Sequence, residues 1–141
     1  MATTTIYLDT NIFLNVVYRE PKFETGSTRL LKRVQTREIA AVTSSVTILE
    51  MSLDMSSRGF QEQSSTAVSL LEDIESLSIL PLDKDMTREA AKYVINDKLT
   101  VHDAYHLATG LKSRVKYFIT RDEALSKKIR KYLEVAQPEE I

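Results

Sequence analysis

The chain has no cysteine, three glycines and three prolines among its 141 residues. Without cysteine there is no disulfide and no thiolate-held metal, a pattern that fits a cytoplasmic protein. So little glycine and proline leaves no room for a long flexible linker. Long hydrophobic runs are missing as well. None approaches the ~20 apolar residues a membrane span needs, and no basic-then-apolar leader pattern precedes Asp9. An excess of either charge is also lacking: the net charge is −1. Bulk charge therefore does not advertise nucleic acid, and such a partner has to be held by a local basic patch or by cations that offset carboxylates. What is present is 43% apolar residues, enough for one core in one domain over residues 1–141.

The stretch Thr4 to Asn15 organises the rest. Its first half is a β-branched and aromatic run that reads as a buried strand. Its second half, Thr10 to Tyr18, spaces Ile12, Phe13, Val16 and Val17 as a helix does. Pro21 then breaks the chain, and an amphipathic helix is expected from about Glu24 to Thr36. A strand follows at Glu38–Thr43, then a helix from Ser44 to a stop at Gly59. That helix is apolar on two sides, and with Met51, Met55 and Phe60 it points to a protein partner. Further helices are expected at 61–76, 85–96, 103–113 and 122–132, with strands at 78–82 and 116–120 and an edge strand at 133–135. The alternation predicts an α/β domain, an α/β/α sandwich whose central sheet has four or five mostly parallel strands. The core spans about 5–135, and 136–141 reads as a frayed tail.

Four acids fall where such a sheet gathers its chemistry. Asp9 ends the first strand, Glu50 lies in the helix after the second, Asp103 opens a helix, and Asp122 follows the fourth clear strand. Each also has a local explanation. Asp9 and Asp103 suit helix N-caps, and Thr47-x-x-Glu50 and Thr120-x-x-Glu123 both match the capping box. Helix spacing favours something more for two of them. Glu50 borders the face of Val46 and Leu53, and Asp103 that of Ala104, Leu107, Ala108 and Leu111. Carboxylates at core margins need partners, and a hard divalent cation is a natural one.

Leu8-Asp9-Thr10-Asn11-Ile12, Ser44-x-x-Thr47-x-x-Glu50, Asp103-Ala104-x-His106-x-Ala108 and Ile119-Thr120-Arg121-Asp122, in that order, resemble the PIN-domain nucleases. Size and spacing most resemble the VapC toxins, the ribonuclease half of a toxin–antitoxin pair. The resemblance implies a ribonuclease using Mg²⁺ or Mn²⁺ held by Asp9, Glu50, Asp103 and Asp122. Asn11 and Thr120, with Thr10 beside them, would support the site. It also implies a homodimer wrapped by a small antitoxin protein; a housekeeping RNA-processing nuclease would share every catalytic residue. Gly110, where alanine would be more helical, is a mild departure.

Two other constellations compete. His102 and His106, four apart, mimic a zinc-hydrolase helix with Asp103 in place of the general-base glutamate. His106 is also a candidate phosphate contact. Among the basic residues, which mostly read as solvated helix faces, Arg121 is the candidate to grip substrate phosphate. A non-catalytic binding module whose acids only cap helices is the remaining alternative.

Overall fold

The structure, a computed structural model, describes residues 4–141. Its strands are β1 (Thr5–Leu8), β2 (Ala40–Ser44), β3 (Leu77–Leu80), β4 (Tyr117–Ile119) and β5 (Val135–Ala136). Its helices are α1 (Thr10–Val17), α2 (Glu24–Gln35), α3 (Val46–Ser57), α4 (Gln61–Glu72), α5 (Lys84–Asp97), α6 (Val101–Lys112) and α7 (Glu123–Ile129). All strand pairs are parallel, in the order β3-β2-β1-β4-β5. The expected fold class is therefore the observed one, with five strands among the described residues.

The period-two alternation of the strands builds two cores. Ile6 and Leu8 of β1 face one way, joining Ile12, Phe13, Leu30, Val34, Met51 and Leu71 from α1 to α4. Tyr7 faces the other way, joining Met86, Ala90, Leu107, Leu125 and Ile129 from α5, α6 and α7. Phe118 stacks on Tyr7 with ring centroids 4.8 Å apart. A Cβ at Gly110 would stand 3.4 Å from the Phe118 ring and 3.6 Å from Tyr7, ordinary contact distances, so the packing has room for alanine and does not account for the glycine.

The central strand is what positions a site. From β1 the chain builds outward to β2 and β3 on one side and to β4 and β5 on the other. That reversal opens a crevice beyond the carboxyl ends of β1 and β4, where ligands of open parallel sheets bind.

Several expected boundaries shift. The α6 helix begins at Val101, with the Thr100 hydroxyl accepting the Asp103 amide, so His102 and Asp103 lie inside its first turn. The strand expected at 133–135 is β5, at Val135–Ala136. Arg58 and Gly59 (φ 85°) end α3 as expected, the glycine adopting a left-handed conformation at little cost.

The last residues differ most from expectation. Pro138–Glu140 form a 3-10 turn in which the Gln137 amide donates to Glu140 Oε1 at 2.9 Å. Arg33 donates to the Ile141 carbonyl at 2.8 Å, and Ile141 packs on the β1–α2 core. Glu139 lies over Gly26 of α2, where a Cβ would fall 1.6 Å from its Oε2. A glycine in the first turn of α2 thus leaves room for the Glu139 side chain.

Candidate active site

Asp9 follows β1 in extended conformation and caps α1, its Oδ1 accepting the Thr10 amide at 2.8 Å. Its Oδ2 accepts the Thr120 hydroxyl at 2.7 Å and the Asn11 amide nitrogen at 3.3 Å. Asn11 also donates to Thr120 at 3.2 Å and accepts the Arg121 amide at 3.2 Å, which ties the ends of β1 and β4 together. Asp122, exposed on the other side of this knot, caps α7 by accepting the Leu125 amide at 3.0 Å. The Thr120–Glu123 capping box does not form. Thr120 is engaged by Asp9 and by the Asp122 amide, so the cap falls to Asp122 itself.

Glu50 does not cap its helix either. From the second turn of α3 its Oε1 accepts the Thr10 hydroxyl at 2.7 Å and is hydrogen-bonded by His106 Nε2. Thr47 sits beneath it, bonded to the Thr43 hydroxyl at 2.7 Å. His106 is 0% exposed. Its Nε2 lies 3.3 Å from Asp9 Oδ1, and its Nδ1 lies 2.5 Å from the Tyr7 hydroxyl. Tyr7 Oη accepts the Ser44 amide at 3.1 Å. A tautomer with hydrogen on Nε2 satisfies the whole chain: Tyr7 donates to Nδ1, and Nε2 donates toward Glu50 and Asp9.

These residues floor a cleft of about 510 Å³ lined by Asp9, Asn11, Glu50, Asp54, Asp103 and Asp122 together with Leu14 and His102. Among its described lining residues are five acids and no lysine or arginine. The electrostatics follow. Burial pushes the Asp9 carboxyl above its usual range, against the pull of His106 and Thr120. Burial also raises Asp103, and the charges of Asp9 and Asp122 add to it. For Glu50 burial is the largest single influence and acts upward, but His106, Thr10 and His102 together hold the group below its usual value. Burial pulls His106 down, yet the surrounding acids outweigh it and leave it raised.

Asp9, Glu50 and His106 each present an atom within 4.8 Å of the others. Asp103 and Asp122 line the same cleft at greater remove. The donors that face solvent are hard carboxylate oxygens, some destabilised by one another, which fits Mg²⁺ or Mn²⁺ completed by water. The residues of the cleft therefore fit a divalent cation.

Every acid of the expected quartet lines this cleft, and Asn11, Thr10 and Thr120 hold it together. The two expected substrate contacts lie elsewhere. His106 is under the floor, where it can orient Glu50 but touch no phosphate. Arg121 is 6% exposed in its side chain and turns away from the cleft. Its Nε donates to Asn15 at 3.2 Å, Nη1 and Nη2 clasp Glu139 at 2.5 and 2.8 Å, and Nη2 also reaches Ser27 at 3.1 Å and the Phe23 carbonyl at 3.2 Å. A guanidinium so committed fastens the chain end to α2. Arg121→Ala is expected to lower the melting temperature by about 5–10 °C, since a buried guanidinium is lost and its partners Asn15, Ser27 and the Phe23 carbonyl are left without a donor. Thermal denaturation checks this; a phosphate grip would instead show as a raised KM at unchanged stability.

Tyr7 was the residue missed outright. The available signal was a tyrosine in a buried strand, whose hydroxyl must find a partner. The zinc arrangement does not form: His106 spends one nitrogen on Tyr7 and the other on Glu50. His102 Nδ1 lies 4.0 Å from Glu50 Oε2 at the rim.

A parallel α/β sheet whose switch point gathers carboxylates from four segments defines an α/β domain with an acidic cleft fit for a divalent cation. Residues 6–131 match the model of the PIN domain, and the chain belongs to that family. Similar solved structures include VapC20 of Mycobacterium tuberculosis, described as a Sarcin-Ricin loop cleaving toxin, at 14% identity and TM-score 0.72 over 86% of this chain and 93% of that one. Another is VapBC2 from Rickettsia felis bound to a DNA fragment from its promoter, at 14% identity and TM-score 0.69 over 95% and 98%. VapBC-1 from nontypeable Haemophilus influenzae is similar at 18% identity and TM-score 0.68 over 96% and 99%. At such identities the likeness is one of fold. A search of curated proteins finds no match.

Proposed function

We propose that this protein is a divalent-metal-dependent endoribonuclease, the toxin of a toxin–antitoxin pair, working in the cytoplasm. The observation that carries the reading is the meeting of Asp9, Glu50, Asp103 and Asp122, from four separate segments, in one cleft with no lysine or arginine among its described lining residues. A set of helix caps alone does not account for it. Asp9 and Asp122 cap α1 and α7, but Glu50 and Asp103 cap nothing and still face the same space.

Bound Mg²⁺ or Mn²⁺ would supply a water of lowered pKa and charge stabilisation for in-line displacement at a phosphodiester. Asp9 and Asp103 would hold it with carboxylate oxygens, Glu50 and Asp122 directly or through water. Thr120 and Asn11 fix the Asp9 oxygens, and Thr10 with His106 fixes Glu50, so that the ligands need not reorganise on binding. The solved neighbours in VapBC complexes favour a toxin over a housekeeping nuclease. By the same reading the partners are a small antitoxin protein and a second copy of the chain.

Cleavage of a mixed RNA pool with added Mg²⁺ or Mn²⁺ tests the reading. Activity is expected to vanish in EDTA, to return on adding metal back, and to fall by about a thousandfold in Asp9→Asn, on the scale of a lost metal ligand. Activity that survives the chelator and the substitution would sink the metal mechanism.

A further inference from the structure

The acid cleft has no cation among its described lining residues, so a polyanion has to be gripped at its rim. Next to the Asp54 end of the cleft, about two turns along α3 from Glu50, stands a cluster that is aromatic and cationic. Asp54 stands one turn beyond Glu50 on α3, and Ser57 and Arg58 one turn beyond that, placing Arg58 about 12 Å along the helix axis from Glu50. Asp54 lines the cleft, accepts a hydrogen bond from the Tyr18 hydroxyl at 2.6 Å and forms an ion pair with Arg58 Nε at 3.1 Å. The Arg58 guanidinium lies over the Tyr18 ring at 4.3 Å, and the Phe60 ring stands 5.9 Å from that of Tyr18 at a tilt of 38°. Phe60 is 43% exposed, and the Arg58 side chain is half exposed.

This cluster presents flat π surfaces and one positive charge, held in place by a carboxylate that is itself part of the cleft wall. Base–aromatic and base–guanidinium stacking on such a surface is how single-stranded nucleic acid is bound without sequence reading, and a paired base in a duplex has no free face to offer. We propose that Tyr18, Arg58 and Phe60 form a subsite for the base and phosphate of a nucleotide adjoining the scissile bond of a single-stranded substrate. Phe60 supplies the stacking face. Arg58 supplies a second face and the charge that the cleft lacks. Tyr18 and Asp54 are positioning residues that hold Arg58. This rests on the nuclease reading above and adds to it the residues that hold the strand beside the acids.

The chain has no tryptophan, so Phe60→Trp places a single indole reporter in the subsite. In an Asp103→Asn background that spares the probe, a single-stranded RNA octamer is expected to quench this fluorescence and a duplex of the same sequence is not. In the active protein, Phe60→Ala is expected to raise KM for the octamer about 5- to 100-fold, the scale of one lost base stack, with a much smaller change in kcat. Mn²⁺ affinity should not change, Phe60→Tyr should restore KM, and Arg58→Ala should weaken binding and flatten its salt dependence. Because Phe60 and Arg58 are exposed, both variants should melt as the wild type does. An unchanged KM in Phe60→Ala and Arg58→Ala, or equal quenching by the duplex, would overturn the subsite while leaving the nuclease intact. So would an effect confined to self-association or to capture of a protein partner, which would make the cluster a protein-docking surface. A wild type that neither binds nor cleaves the octamer would overturn the nuclease reading, and the subsite with it.

Discussion

Asp103→Asn is expected to cut cleavage by roughly a thousandfold and, in the same preparation, to raise the melting temperature of the metal-free protein. Both effects come from one fact. Asp103 sits half-buried in the first turn of α6 and faces a cleft shared with Asp9 and Asp122. Burial, then the like charge of Asp9 and the more distant Asp122, hold its proton more tightly than the ordinary value of 3.8. A carboxyl raised in the folded state contributes stability that is fully present below pH 3.8 and is lost as pH rises through the raised value. At neutral pH the charged group therefore opposes folding. Asparagine keeps the shape, cannot ionise, and removes that opposition. A gain of about 1 kcal/mol would appear as roughly 2–4 °C in a domain of this size. Divalent cation should reverse the order, stabilising the wild type by mass action and the variant much less. Melting curves in EDTA and in Mn²⁺, run at pH 7, check the pair of effects. A variant that melts below wild type in EDTA would show that the acids support the fold rather than strain it.

The same physics explains what could be read without coordinates. The strand–helix alternation and its apolar spacing gave the sheet and the two faces, since those patterns are local. That four acids would meet in one cleft was legible because Asp9, Glu50, Asp103 and Asp122 each fall at a strand end or a helix margin, where parallel topology leaves few destinations. Arg121 was misjudged because its partners Glu139, Asn15 and Ser27 lie 18, 106 and 94 residues away. No local pattern announces a guanidinium that closes the last residues onto α2, and for the same reason residues 136–141 read as a tail. The cap at Asp122 in place of Thr120 has a similar origin, because Asp9, 111 residues distant, claims the Thr120 hydroxyl.

His106 is where local and distant reasoning met and only half succeeded. One turn from Asp103 it was expected near the cleft, yet its neighbours Tyr7 and Glu50 come from elements 99 and 56 residues away. Its position implies a large effect. His106→Ala would leave the Tyr7 hydroxyl without its partner at a fully buried point and the half-buried Glu50 oxygen with Thr10 alone, and would open a hole between α6 and β1. Losing one member of a buried, hydrogen-bonded pair costs about 3–5 kcal/mol, or roughly 10 °C or more in melting temperature. Glu50, with its Oε1 released by the imidazole and held by Thr10 alone, would also swing, so Mn²⁺ affinity should fall by about 10- to 100-fold, as it does when a ligand loses the group that orients it. His106→Gln separates the two consequences. Its amide can donate to Glu50 and accept from Tyr7, so it should recover much of the metal affinity even where some stability stays lost. Thermal denaturation and Mn²⁺ titration of the three proteins decide the matter. Equal metal affinity in wild type and His106→Ala would mean that Glu50 is oriented by Thr10 alone and that the imidazole only fills the core.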